Sequence, residues 1–154
     1  MHLVMRSSKA KGAWSFRNPN NEKKIRDIVT KFSKKHGVKI LSLANVGNHL
    51  HFHIKLSNRF TYVKFIRAVT AAIAMAVTKK SRWNVPIAIT DSSKKKEKFW
   101  DYRPFTSLVD SFKQFLNLRD YIRINVLEGF GYRRNEARFI LAVNSGDAHL
   151  LDFG

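Results

Sequence analysis

Apolar and polar residues alternate through His49-Leu50-His51-Phe52-His53-Ile54-Lys55-Leu56. In an extended strand, Leu50, Phe52, Ile54 and Leu56 fall on one side, and His49, His51, His53 and Lys55 on the other. The pattern predicts a half-buried strand with one core-facing apolar face and one face lined by imidazoles. The flanking chain changes period several times. Residues 2–7 read as a first strand. Asn18-Pro19 signals a helix start, Ile25, Ile28, Val29 and Phe32 recur at helical spacing, and Gly37 marks the stop. Residues 38–46 read as a second strand. Gly47-Asn48 then makes a tight turn into the histidine strand, giving an antiparallel hairpin. Ser57-Asn58 can cap a helix over residues 60–79. Phe65, Ile66, Val69, Ile73, Met75 and Val77 give it a wide apolar arc, and it is expected to be the most buried helix.

Later in the chain, Val85-Pro86-Ile87-Ala88-Ile89 suits a short edge strand. Residues 92–98, with Lys94-Lys95-Lys96, read as a basic loop, and residues 103–109 as another strand. Ser111 followed by Gln114 is a capping-box signal. It opens a helical stretch through Phe115, Leu118, Tyr121, Ile122 and Asn125, with Asn117 as a point of interruption or re-capping and Gly129 and Gly131 as the end. In the remaining tail, residues 137–143 suit a short helix or strand. The order strand, helix, strand, strand, helix, strand, helix predicts an α+β fold. A mostly antiparallel central sheet carries the helices, in a ferredoxin-like split arrangement. Neither repeats nor a linker divide the 154 residues, so one domain over 1–154 is expected.

Charge changes the picture more than overall composition does. With 29 Lys and Arg against 11 Asp and Glu, the formal net charge is +18, the footprint of a nucleic-acid binder. Arg6, Lys9, Lys11, Lys94, Lys95, Lys96, Arg103 and Arg123 are the candidate DNA contacts. Hydrophobic residues make up 44% of the chain, enough for a packed core. The absence of cysteine excludes disulfides, thiolate zinc sites and a cysteine nucleophile. The most apolar stretch, residues 68–77, is too short to span a bilayer. The charge is spread along the chain rather than gathered on an amphipathic helix and the N-terminus has no signal-peptide pattern, so no membrane partner and a cytoplasmic location are expected.

Neighbouring imidazoles on one strand face are about 6.5–7 Å apart at the backbone and can converge on one ion. An ordinary solvated strand face shows the same alternation. What sharpens the reading is Tyr121 and Asn125, four residues apart and therefore one turn apart on a single helix face. A histidine pair, a phenol beside an amide, and a very basic chain together supply a divalent-metal site with a nucleophile next to it.

These blocks resemble the HUH single-tyrosine transposases, most closely the REP-associated tyrosine transposases of bacteria. Gly47-Asn48-His49-Leu50-His51-Phe52 resembles the family's Asn-His-hydrophobic-His strand, and Tyr121-Ile122-Arg123-Ile124-Asn125 its Tyr-Ile-x-x-Asn helix. Phe99-Trp100-Asp101-Tyr102-Arg103-Pro104-Phe105 is similar to the family's approach to the strand before that helix. The resemblance implies that His49, His51 and Asn125 hold Mg²⁺ or Mn²⁺. It implies that Tyr121 attacks single-stranded DNA, at hairpin-containing sites, through a 5′-phosphotyrosine intermediate. It also implies a monomer or homodimer acting in the bacterial cytoplasm at the nucleoid. His53 stands where the family is usually apolar, as a spare ligand, a DNA contact or a surface histidine. Val126 replaces a usual proline, and Val46-Gly47 a common Met-x pair; neither change removes a catalytic group.

Three other functions compete. A basic single-strand nucleic-acid-binding module fits the charge and the 12% aromatic content, yet leaves the Tyr121–Asn125 spacing unexplained. A replication-initiator or relaxase nickase uses the same chemistry, but the short chain and single tyrosine motif favour the transposase. A metal-storage role for His49, His51 and His53 is opposed by the positive charge, which repels cations.

Overall fold

The computed structural model describes residues 1–79 and 98–145. The expected edge strand at 85–89 and the Lys94-Lys95-Lys96 loop lie outside the described residues. Among those described, the chain runs β1 (His2–Arg6), α1 (Pro19–His36), β2 (Val38–Asn45), β3 (His49–Leu56), α2 (Arg59–Thr78), β4 (Phe105–Ser107), α3 (Phe112–Gly129) and α4 (Arg134–Ser145), with a 3₁₀ turn at Gly12–Trp14.

Local chemistry sets most of these boundaries. The Asn18 side chain accepts from the Asn20 N–H, Pro19 opens α1, and Gly37 closes it at φ 63°, a left-handed conformation that glycine enters without steric cost. Asn58 caps α2 by accepting from the Phe60 N–H. Ser111 accepts from the Gln114 N–H at the start of α3, as the capping signal predicts. Gly47, at φ 99°, makes the turn between β2 and β3.

The sheet order is β2-β3-β1-β4, with every neighbouring pair antiparallel. The units β1-α1-β2 and β3-α2-β4 interleave, each pair of outer strands enclosing a strand of the other unit. This is the split ferredoxin-like α+β arrangement expected from the element order.

The two faces of the sheet are covered differently. On one, Leu3 and Met5 of β1 and Leu50, Phe52 and Ile54 of β3 meet Ile25 and Val29 of α1 and Phe65, Val69, Ile73 and Val77 of α2 in the main core. The other face carries a smaller cluster in which Ala44 of β2 packs against Leu118 and Ile122 of α3. A fully buried side chain of this kind contributes roughly 1.5–3 kcal/mol, enough to seat α3 without matching the main core.

Three sequence expectations change, and one open choice is settled. The imidazole face of β3 is not open: α3 lies over it, and His51 and His53 are 4% and 3% exposed. Asn117 does not interrupt α3, which runs unbroken from Phe112 to Gly129. The periodic part of the tail is a helix, α4. The apolar arc of α2 exceeds what the fold buries: Phe65, Val69, Ile73 and Val77 are buried, whereas Phe60, Val63 and Met75 are exposed. By length and composition α2 also passes as a bilayer-spanning helix, yet its buried stripe belongs to the domain core.

Candidate active site

Strand pairing brings chemistry from two strands to the α3 side of the sheet. His2 lies opposite His53, Val4 opposite His51, and Arg6 opposite His49. Residues directly opposite in an antiparallel pair share a face, so His2, His49, His51 and His53 line the same surface. The ring centroids of His49 and His51 are 4.8 Å apart, and those of His2 and His51 are 5.5 Å apart, nearly parallel at 13°.

Helix α3 adds the phenol and the amide. Leu118, Ile122 and Asn125 form its buried face, and Tyr121 stands at the edge of that face, 36% exposed. The Tyr121 ring is edge-on to His51, with centroids 5.5 Å apart at 81°, and to His2, 5.9 Å apart at 75°. One turn on, the Asn125 amide donates to the Tyr121 carbonyl oxygen at 2.7 Å. Only the NH₂ end can make that bond, so Oδ1 occupies the opposite end of the carboxamide. From α4, the Arg134 guanidinium lies 5.9 Å from the Tyr121 ring centre and 3.3 Å from the Glu128 carboxylate.

The imidazoles are held neutral. Burial lowers the pKa of His51 to about 3, with further contributions from His49 and His2. Burial also lowers His49, assisted by the Arg6 charge, and lowers His2, assisted by His53 and the terminal amine. Neutral imidazole is the form that can ligate a metal.

The donors suit a divalent cation. His49 Nδ1 lies 2.7 Å from Asn48 Oδ1, and with that oxygen accepting, the lone pair of His49 is on Nε2. His51 Nε2 is buried and has no hydrogen-bond partner among the described residues. Asn125 Oδ1 is a hard oxygen of the kind Mg²⁺ and Mn²⁺ take. The described residues hold no cluster of three or more His, Cys, Asp or Glu side chains suited to a metal; the ligand set would be two imidazoles and an amide.

His53 lies on the same face, opposite His2 in the sheet. Its ring packs on Phe115 with centroids 4.9 Å apart, and its burial rules out a surface histidine. The Phe99–Phe105 block is tied to the end of β1 and to α2. Ser7 Oγ donates to the Phe99 carbonyl, Asp101 accepts from the Ser8 N–H and hydroxyl at 2.8 Å each, and Trp100 Nε1 donates to the Thr70 carbonyl. The Ser8 N–H holds the Asp101 carboxyl below its ordinary range.

Of the candidate DNA contacts, Arg6 is exposed beside His49 and paired with Asp101 at 3.6 Å. Lys11, Arg103 and Arg123 are exposed, and Lys9 is half-buried. Sequence reasoning missed His2 and Arg134. For His2 a signal existed: the alternation of His2, Val4 and Arg6 against inward Leu3 and Met5 puts it on the polar face.

A split α+β sheet with a His-x-His strand facing a tyrosine-bearing helix defines the class of single-tyrosine HUH transposases. Residues 1–125 match the family model described as "Transposase IS200 like". The chain belongs to that family and is a transposase. No curated protein matches it. The matched span contains all of His2, His49, His51, Tyr121 and Asn125 and ends before α4.

Proposed function

We propose that this transposase cuts and rejoins single-stranded DNA through Tyr121, at hairpin-containing sites of the REP-associated kind, with Mg²⁺ or Mn²⁺ held by His49, His51 and Asn125. The observation that carries the reading is the buried, unpartnered Nε2 of His51 directly beside the Tyr121 ring. An uncompensated buried polar atom is costly, and a cation at that position would satisfy it.

A bound divalent ion would offset the charge of the scissile phosphate. Each remaining role falls to a side chain. Tyr121 Oη attacks phosphorus; the new O–P bond forms as the bond to the 3′ oxygen breaks, leaving a 5′-phosphotyrosine and a 3′-OH. The phenolic proton passes to solvent, and the leaving 3′ oxygen takes one up. A 3′-OH attacking the phosphotyrosine reverses these changes and rejoins the DNA, so no external energy source is required. Packing of Leu118 and Ile122 on Ala44 fixes the approach of Tyr121, because a nucleophile is effective only when held in an attacking geometry. Arg134 adds a cation next to the ring, and Arg6 adds one next to His49.

The test is incubation of the full chain with a library of single-stranded hairpins in Mn²⁺ or EDTA, followed by denaturing electrophoresis. The proposal expects metal-dependent covalent adducts with a subset of hairpins. Cleavage without an adduct, or adducts unchanged in EDTA, would contradict it.

A further inference from the structure

We infer that His2 is a positioning residue for the metal site: its Nε2 accepts a hydrogen bond from His51 Nδ1–H and so fixes His51 with its Nε2 lone pair directed to the ion. The inference rests on the metal reading proposed above and extends it to a residue of the first strand.

The two nitrogens are 3.2 Å apart, and the ring planes lie within 13° of parallel with centroids 5.5 Å apart, so the rings meet edge to edge. Two arrangements of the shared proton are open. If His2 donates, His51 carries its own proton on Nε2, and that N–H is buried with no acceptor among the described residues. If His51 donates, Nε2 carries a lone pair instead, and a cation satisfies it. Only the second arrangement gives every buried polar atom of His51 a partner once the ion is bound.

The parallel with His49 supports this. Its Nδ1 lies 2.7 Å from Asn48 Oδ1, the same device of an acceptor behind the ligating ring. Ligating histidines almost always donate their second N–H to such an acceptor. Among the described residues no carboxylate or carbonyl takes that place behind His51, and His2 fills it. The strand holds His2 from both sides, because β1 pairs His2 with His53 on one flank and with Ser107 on the other. The backbone that carries the ring is therefore held by the sheet rather than by a loop.

Two variants separate this role from simple packing. His2→Phe keeps a planar ring but has no acceptor; His2→Gln offers an amide oxygen. Mn²⁺ affinity of the DNA-free chain, read from the electron-paramagnetic-resonance signal of free Mn²⁺, is expected to fall about 10–100-fold in His2→Phe and to be largely retained in His2→Gln. Long-range ¹H–¹⁵N NMR of the metal-free wild type should show His51 protonated on Nδ1, with the Nε2–H form appearing in His2→Phe. Wild-type affinity in His2→Phe, or a His51 proton on Nε2 in the wild type, would overturn the inference. If His2→Phe does not fold, the wild-type tautomer and the Gln variant still decide it. No Mn²⁺ uptake by the wild type would instead remove the metal site itself, and the role of His2 with it.

Discussion

The Tyr121 phenol stands edge-on to the His51 imidazole, ring centroids 5.5 Å apart and planes at 81°. One residue belongs to a central strand and the other to a helix more than sixty positions later. They meet because α3 packs Leu118 and Ile122 on Ala44, and Ala44 is the β2 residue directly opposite His51. The apolar contact that seats the helix is thus next to the chemistry it presents.

Under the proposed chemistry the histidines divide by role. His49→Ala and His51→Ala should each abolish DNA cleavage while most hairpin binding survives, because binding draws on the basic surface. His53→Ala should retain cleavage in Mn²⁺ but lower the melting temperature, since its buried ring packs on Phe115; truncating a buried side chain this way costs on the order of 1–3 kcal/mol. A dead His53→Ala with an active His49→Ala would place the metal pair one step further along the strand.

Much of this was legible in the sequence, because caps and periodicity are local signals. Asn18-Pro19, Gly37, Ser111 and Gly47 each act where their chemistry says they should. The alternation of β3 assigned its two faces correctly. It did not show that both are covered, since a helix far along the chain buries the second. That covering helix also moves His53 from the surface into contact with Phe115. The alternation of β1 puts His2 on the polar face, but its place beside β3 depends on strand pairing, which no local pattern encodes. The choice between helix and strand at 137–143 was open because a short apolar run has no distinctive period.

Binding to single-stranded DNA should depend strongly on salt. Neutralising five or six phosphates gives a log–log slope of about −4, and the exposed Arg6, Lys11, Arg103 and Arg123 together with Lys94, Lys95 and Lys96 supply enough cations. A slope near zero in a fluorescence-anisotropy titration would mean that the charge lies away from the interface.

Acid should destabilise the metal-free protein. The folded-state pKa of His51 is about 3, below the unfolded value of about 6.5. The unfolded chain therefore binds the extra proton first, and the stabilisation present above pH 6.5 is lost as pH falls toward 3. His51 alone gives a slope of up to about 1.4 kcal/mol per pH unit in that window, with His49 and His2 shifted in the same direction. Urea melts from pH 7 to 4 should show this loss, and His51→Gln should flatten it. A flat wild-type profile would mean that the imidazoles are solvated.

The most direct test of the catalytic assignment is the site of DNA attachment. Tyr62 packs against the main core, and Tyr102 and Tyr132 are exposed, so only Tyr121 adjoins the histidines and shares a helix face with Asn125. Mass spectrometry of the adduct trapped with a cleavable hairpin in Mn²⁺ should place the 5′-phosphate on Tyr121. Tyr121→Phe, which removes one oxygen and little packing, should abolish the adduct while folding and hairpin binding persist. DNA found on Tyr102 or Tyr132, or an undiminished adduct in Tyr121→Phe, would contradict the account.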